Sequence, residues 1–386
     1  MSARFAAVAL MLGNVVTALS ILGPAGMLAD LATGLSVSIR EAGLLVTSGA
    51  VVLCFGSPLM TWAASAMDRR GLLAGTIAIV SLGLLATAWA PDYLSVLVLR
   101  IAMLVIGAVF TPMAASTIAM IVTEKERPGA ISFVFLGWAL AIAAGLPVIT
   151  FLAAHAGWRA VYALLGAIGV LSALLIYVAL PRRLRGEPLS MSSWGIIARH
   201  RFVCWLLLVT VLWTCGQFVL FPYLGPLLAR LAGGTTQVIG ASFAAMGIMG
   251  FLGNLTASRT VGHFGAWRMS IVFSASMFIG TALWAIGTGV LPAMVTGVAL
   301  WGFGFAALNS MQQARLVATA PPLAGATVAL NTSSNYVGQG IGSALGAEMF
   351  ARDYLIAMGF VATAFMLLAL FGVILSRRLD SSRAVF

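Results

Sequence analysis

An all-α polytopic membrane protein, with 12 helices in two pseudo-symmetric six-helix bundles, is the fold class this sequence predicts, and three observations carry it. Hydrophobic residues fill 61% of the chain, charged residues only 8%, and the mean hydropathy is +1.07, where a soluble domain carries roughly 25% charge. Apolar runs of about 20 residues, long enough to cross a bilayer, recur throughout with Gly, Pro or charge between them. The longest polar stretch, residues 181–202, falls midway. No water-soluble core could hide that much apolar surface, so a soluble enzyme is excluded. Backbone groups in lipid must pair internally. Continuous apolar runs therefore mean helices, where a β-barrel would alternate in polarity.

The predicted spans run over 5–28, 42–66, 72–90, 94–121, 129–153, 159–180, 203–227, 237–257, 268–288, 292–314, 326–350 and 354–376. The first follows Arg4 as a secretory signal would. It extends to about Leu28, however, and similar runs follow, so it reads as a span kept in the mature protein. Basic residues set the orientation. With the N-terminus in the cytoplasm, sixteen Lys and Arg fall inside and four outside (Arg40, Arg159, Arg230 and Arg352), while Arg100 lies within a span. That asymmetry is the one the positive-inside rule describes, and it makes both termini cytoplasmic. The net charge of +11 then faces lipid head groups and not nucleic acid.

Three segments follow: a bundle over 1–180, a cytoplasmic linker over 181–202 and a second bundle over 203–386. The end of the linker, SSWGIIARHRF, reads equally as an interfacial helix or as a solvated connection. The halves resemble each other. The turn EKERPGA has Gly129 where APPLAGA has Gly325, and MDRRGLL has Gly71 where GHFGAWR has Gly265, at offsets of 196 and 194 residues. A shared offset near half the chain points to internal duplication, as in transporters built from repeats. Cys54, Cys204 and Cys215 lie inside apolar runs and read as small buried hydrophobes, not as a disulfide framework.

Several motifs carry a family likeness. Span one is followed by ADLATGLSVSIREAGLLVTSGAVVLCFGSPL, and span two by the turn DRRGLL. Span four has Arg100 and then Phe110, Thr111 and Pro112, and TEKERPGA follows it. Span five holds GLP at 145–147, span six opens on AGWRAVY, and span eleven carries LNTSSNYVGQGIGSALG. With these the chain resembles the major facilitator superfamily, and is most similar to its bacterial twelve-span drug and sugar efflux branch, the drug:proton antiporters. It departs from that pattern in three places. A Gly is missing near Ala64, Gly262 stands where an Asp is expected, and no acid lies between Phe5 and Ala29.

The resemblance implies the major facilitator fold and alternating-access secondary transport of a small organic molecule in the bacterial inner membrane. It implies export of a drug, sugar or metabolite coupled to protons, by a monomer surrounded by lipid, with no cofactor and no metal. Uptake or facilitation without protons remains an alternative, as does an intramembrane enzyme or a transporter-like sensor. The enzyme would need acids or histidines clustered at one membrane face. The acids here are few and scattered, and His155, His200 and His263 lie far apart. No Walker sequence supports ATP as the energy source.

Candidate site residues follow from this. A charge at the centre of a span costs about 2.5–3.5 kcal/mol on insertion scales, so Arg100 is expected to face a cavity or a partner, with snorkelling to the outer surface as the alternative. The resemblance implies cavity-lining roles for residues of spans one, four, seven and ten. Asn14, Thr17, Trp213, Gln217 and Asn309 are candidates there, with Trp138 on span five. Span eleven carries Asn331, Asn335, Gln339 and Ser343 at a spacing of four, with Gly338, Gly342 and Gly346 on another face. The amides are expected toward the pathway and the glycines toward the other half. The resemblance implies gating by Asp68, Arg69 and Arg70, and a helix bend at Gly145 and Pro147. Glu348, the one acid clearly inside a span, is either a surface carboxylate or a protonation site.

Overall fold

The computed structural model describes residues 3–123, 126–185, 200–319 and 324–379, without the side chains of 127–129, 132, 324–326 and 379. Among these residues the chain is helical and no named strand occurs. The first part comprises α1 (Ala3–Gly26), α2 (Leu28–Gly34), α3 (Ile39–Ala63), α4 (Arg69–Ala88), α5 (Tyr93–Gly107), α6 (Phe110–Ile121), α7 (Arg127–Leu140) and α8 (Leu146–Ala179). The second comprises α9 (Arg201–Leu220), α10 (Leu224–Ala232), α11 (Thr236–Phe264), α12 (Ala266–Ile286), α13 (Leu291–Thr319), α14 (Ala324–Ala351) and α15 (Leu355–Leu379). The interfacial helix considered for the linker, and the repeat turn before residue 324, lie largely outside the described residues.

Every predicted span is occupied largely by helix, three of them by two helical segments with a break between, and the second outruns α3 by three residues. Short polar caps start several of these helices. Ser38 and Glu41 form a reciprocal capping box on α3, Asp92 accepts from the Ser95 amide at 2.8 Å on α5, and Thr235 caps α11. These side chains satisfy amides that have no partner in the first turn. Spans five and six share one apolar run, Phe133–Ala179, divided where Gly157 takes φ 81°, in the left-handed region open to glycine. The helix α11 runs seven residues past the predicted end at 257, because hydropathy reports where lipid ends and not where backbone hydrogen bonds end.

Some prolines mark irregularities, while Pro24 and Pro58 lie inside the continuous α1 and α3. The break between α5 and α6 comes three residues before Pro112, the π turn Ala141–Gly145 ends two residues before Pro147, and Pro222 sits in the 3-10 turn Phe221–Tyr223. Each removes an N–H and so frees a carbonyl one turn back.

The helices form two compact units, Met1–Ser190 and Met191–Phe386. In the first, α8 packs against α4 and α1, α7 against α1, and α3 against α5. In the second, α13 packs against α12 and α11, and α9 lies between α14 and α15. The outer surface is apolar, with Trp89 74% and Ile286 79% exposed. Large apolar side chains pointing outward suit a lipid-facing exterior.

Candidate functional site

In the first unit, three helices meet on Arg100, which is 1% exposed on α5. Its Nε donates to the Leu45 carbonyl at 2.6 Å, Nη1 to that of Ser20 at 2.8 Å and Nη2 to that of Ile21 at 2.7 Å. Pro24 explains one of these acceptors: without an N–H it leaves the Ser20 carbonyl, four residues back on α1, with no helical partner. Gly49 makes the room, since a Cβ there would lie 3.1 Å from Nη2. Of the two arrangements expected for it, a cavity or a partner, this conformation shows partners: the backbone carbonyls of α1 and α3 satisfy the charge. Snorkelling is not what the side chain does. The buried Tyr162 stands beside it, with a hydroxyl that has no hydrogen-bond partner among the described residues.

Nearly two helix turns from this knot along α1, Asn14 joins three elements. Its amide nitrogen donates to the Val134 carbonyl of α7 at 3.0 Å, and its oxygen accepts from Thr111 of α6 at 2.8 Å. Thr17 turns its hydroxyl back to the Gly13 carbonyl of its own helix at 2.9 Å, so it offers no donor elsewhere. Trp138 is half-buried, with an Nε1 that has no partner among the described residues. Gly145 closes the π turn ahead of Pro147, and a Cβ on it would lie 2.6 Å from the Leu19 side chain.

The turn before α4 is pinned within the first unit. Asp68 caps the helix by accepting from the Gly71 amide at 3.2 Å, while its other oxygen is buried without a partner among the described residues. The Arg69 amide donates to the Leu184 carbonyl at 2.8 Å, and the Arg69 guanidinium reaches the Met113 sulfur. Arg70 stacks on the Tyr177 ring, 4.1 Å from its centroid. The three residues thus tie α4 to α6, α8 and the segment after α8.

In the second unit, amides and hydroxyls of α9, α13 and α14 form one network. Thr210 donates to Asn331 at 2.8 Å and Thr214 to Asn335 at 2.9 Å, while both asparagines donate to Asn309, at 3.1 and 3.2 Å. Gln312 donates to the Leu206 carbonyl and accepts from Arg315, which also reaches Ser376. Thr210 and Thr214 were not singled out from sequence. Their spacing of four in an apolar run, the same as that of Asn331 and Asn335, is the signal that could have found them.

The glycine stripe of α14 corrects an expectation. Gly338, Gly342 and Gly346 face α9 of their own unit, where a Cβ on Gly338 or Gly346 would lie 2.6 Å from the carbonyl oxygens of Val211 and Val219. Gln217, Trp213 and Gln339 are buried, and each has a polar atom without a partner among the described residues. Glu348 pairs with Arg352 one turn on, at 2.7 Å, at an end of the helix where both side chains are partly exposed. Beside it Arg230 pairs with Asp353 at 2.7 Å.

The Major Facilitator Superfamily model matches residues 10–343. An inner membrane transport protein, YdhP, of Escherichia coli K12 is 26% identical over 353 residues, covering 90% of each chain. A probable sugar efflux transporter of Helicobacter pylori strain HPAG1 is 25% identical over 365 residues, covering 90% of this chain and 89% of that one. The crystal structure of a D-xylose-proton symporter superposes with a TM-score of 0.77 at 16% identity, covering 96% of this chain and 97% of that one. An inward-facing bacterial homologue of the lysosomal transporter Spinster has the same fold, with a TM-score of 0.72 at 18% identity. A family match over most of the chain, joined to this fold and these buried polar junctions, makes the chain a membrane transporter of the Major Facilitator Superfamily.

Proposed function

We propose that this protein exports a small organic molecule across the bacterial inner membrane by alternating access, in exchange for protons, with both termini in the cytoplasm. The observation that carries export is the likeness, over nine-tenths of both chains, to a probable sugar efflux transporter. The likeness to an inner membrane transport protein supports the location. The buried amides, hydroxyls and indoles of α9, α13 and α14 support a polar organic substrate, since these helices are otherwise apolar. The positive-inside count supports the orientation. The same helices support a substrate site that includes Trp213, Gln217 and Gln339, and Asp68, Arg69 and Arg70 are proposed to loosen and re-form as the protein changes state.

A second reading, facilitation without protons, is favoured by one observation: Glu348, the acid within span eleven, is held by Arg352 near the helix end. Counterflow of labelled sugars in liposomes, with and without a pH gradient, decides between them. Exchange is expected to accelerate when the gradient is imposed. Flux indifferent to the gradient would leave the facilitator, and no flux of any solute would overturn the transport reading for this chain.

Asp68→Asn separates charge from capping. Asn also caps a helix well, so thermal stability should change by less than about 1 kcal/mol. Flux should fall on the order of tenfold if the carboxylate's charge is what re-forms contacts between states. Wild-type flux in the variant would reduce this turn to a helix start and a topology signal.

A further inference from the structure

The last turns of α15 are gripped from two sides. Trp205 of α9 donates its Nε1 to the Gly372 carbonyl at 2.9 Å, and Trp267 of α12 donates its Nε1 to the Val373 carbonyl at 3.0 Å. The helices α12 and α15 run antiparallel, since Trp267 meets Val373 at one end and Ala285 meets Gly359 at the other. The start of α12 and the end of α15 therefore lie at the same end of the second unit. Arg377, four residues beyond Val373, places its guanidinium carbon 4.8 Å from the centroid of the Trp267 ring. Arg268 is the next residue on α12, and both arginines are exposed. A cation over an indole face is attracted to it. The hydrogen bond to Val373 fixes the indole, so Arg377 keeps a defined place beside the start of α12.

Among the described residues of the second unit, neither arginine has a carboxylate beside it. The acids there are Glu348 and Asp353, which pair with Arg352 and Arg230 at the opposite end of α15. No Asp or Glu occurs in 188–347. Beyond Arg377 the sequence sets one acid, Asp380, against Arg378 and Arg383, and Asp380 lies outside the described residues. Away from the arginines the two helices turn aliphatic side chains outward. Val272 and Ile279 follow Arg268 along one face of α12, and Leu367 and Ile374 precede Arg377 along one face of α15. All four are exposed. The surface thus passes from two cations, through an anchored indole, to aliphatic chains.

We propose that this face of α12 and α15 binds an anionic phospholipid, with its phosphate held by Arg268 and Arg377 and its acyl chains along the aliphatic side chains. Tryptophan belongs at the level where headgroup meets chain, and a basic pocket between helices suits an anionic headgroup. A preference for basic residues in loops accounts for the charge alone. It does not call for an arginine stacked on a fixed indole at the head of an aliphatic track. A zwitterionic lipid brings its own cation to the arginines and gains less from them. A free phosphate gains nothing from the aliphatic track. The proposal needs only that this end of the unit lies at a membrane surface, so it is independent of the direction and coupling of transport.

The test uses the full chain in a neutral detergent. The probes are dioleoyl phosphatidylglycerol, dioleoyl phosphatidylcholine and glycerol 3-phosphate, the last a headgroup without chains. Phosphatidylglycerol is expected to raise the wild-type Tm, and the other two at equal concentration are not. The double variant Arg268→Gln/Arg377→Gln should bind phosphatidylglycerol more weakly on the order of tenfold or more. Its lipid-free Tm should hold, because both side chains are exposed. The control Arg201→Gln/Arg259→Gln removes the same charge from exposed positions on α9 and α11, and should keep wild-type affinity. Native mass spectrometry gives a second reading that does not depend on melting. There the wild type and the control should retain one more phosphatidylglycerol than the Arg268→Gln/Arg377→Gln protein. The proposal is overturned if phosphatidylcholine stabilises the wild type as well as phosphatidylglycerol does, or if the Arg268→Gln/Arg377→Gln protein keeps wild-type affinity. It is also overturned if the control loses as much, since the attraction is then diffuse. Stabilisation by glycerol 3-phosphate equal to that by phosphatidylglycerol would overturn the lipid and leave an anion site.

Discussion

Arg100→Ala is expected to destabilise the folded protein by about 1–3 kcal/mol, the range for leaving a buried acceptor unsatisfied. The loss concentrates on the Ser20 carbonyl, which accepts from Nη1 and which Pro24 deprives of a helical N–H. It is compounded by the void left where a fully buried guanidinium had filled the junction of α1, α3 and α5. Arg100→Lys should recover only part of this, because an ammonium is a single point of charge and cannot span three carbonyls as the planar fork does. Pro24→Ala offers an internal check. With an N–H restored at position 24, the Ser20 carbonyl regains a helical partner, and Arg100→Ala should then cost less by about 1 kcal/mol. Thermal unfolding of the wild type, the three single variants and the Pro24→Ala/Arg100→Ala double variant in one detergent reads all of this. If the Arg100→Ala protein melts with the wild type, the guanidinium is not a tie, and its role lies in another conformation.

Gly342→Val should be more damaging still, with loss of folded protein on solubilisation as the expected result. A Cβ at 342 would press on the Cys215 carbonyl, and its atoms would lie 3.0 and 3.1 Å from the Cys215 carbonyl carbon and Cα. Two backbones in contact have no rotamer to relax into, so α9 and α14 must separate. Overpacking typically costs about 1–3 kcal/mol where side chains can adjust, and here they cannot. Separation would also pull Thr210 and Thr214 off Asn331 and Asn335, so the polar network fails together with the packing. Gly262 on α11 is the control: nothing lies within 4 Å of its added Cβ. There Gly262→Ala should be neutral, or stabilising by up to about 1 kcal/mol through helix propensity. Size-exclusion profiles of the two variants compare them directly, and a monodisperse, correctly melting Gly342→Val protein would disprove the close backbone contact.

Much of the site was legible in part. Asn14, Arg100, Asn309, Asn331 and Asn335 stood out because a polar group in an apolar run has to be satisfied by something, and each is satisfied at a junction of helices. What satisfies it was not legible. Arg100 could have met water, substrate or lipid head groups with the same sequence around it. Its actual partners are main-chain carbonyls, which no residue code displays, and the clue lay in Pro24, seventy-six residues earlier. The direction of the α14 glycines was misjudged for a related reason. Spacing says that a face is small, and says nothing about which neighbour lies against it.

The sequence by itself determined the transmembrane character, the approximate positions of the spans and the family. Those properties depend on local matters: transfer of apolar side chains to lipid, a cap at a helix start. Tertiary structure alone decided which polar groups pair with one another and which are left over. Hydrogen-bond partners such as Thr210 and Asn331 lie 121 residues apart, and only the packing of α9 against α14 brings them together. Satisfaction of a polar group is a property of its surroundings. The unpaired atoms of Trp213, Gln217 and Gln339, which have no partner among the described residues, therefore became visible only in the packed structure.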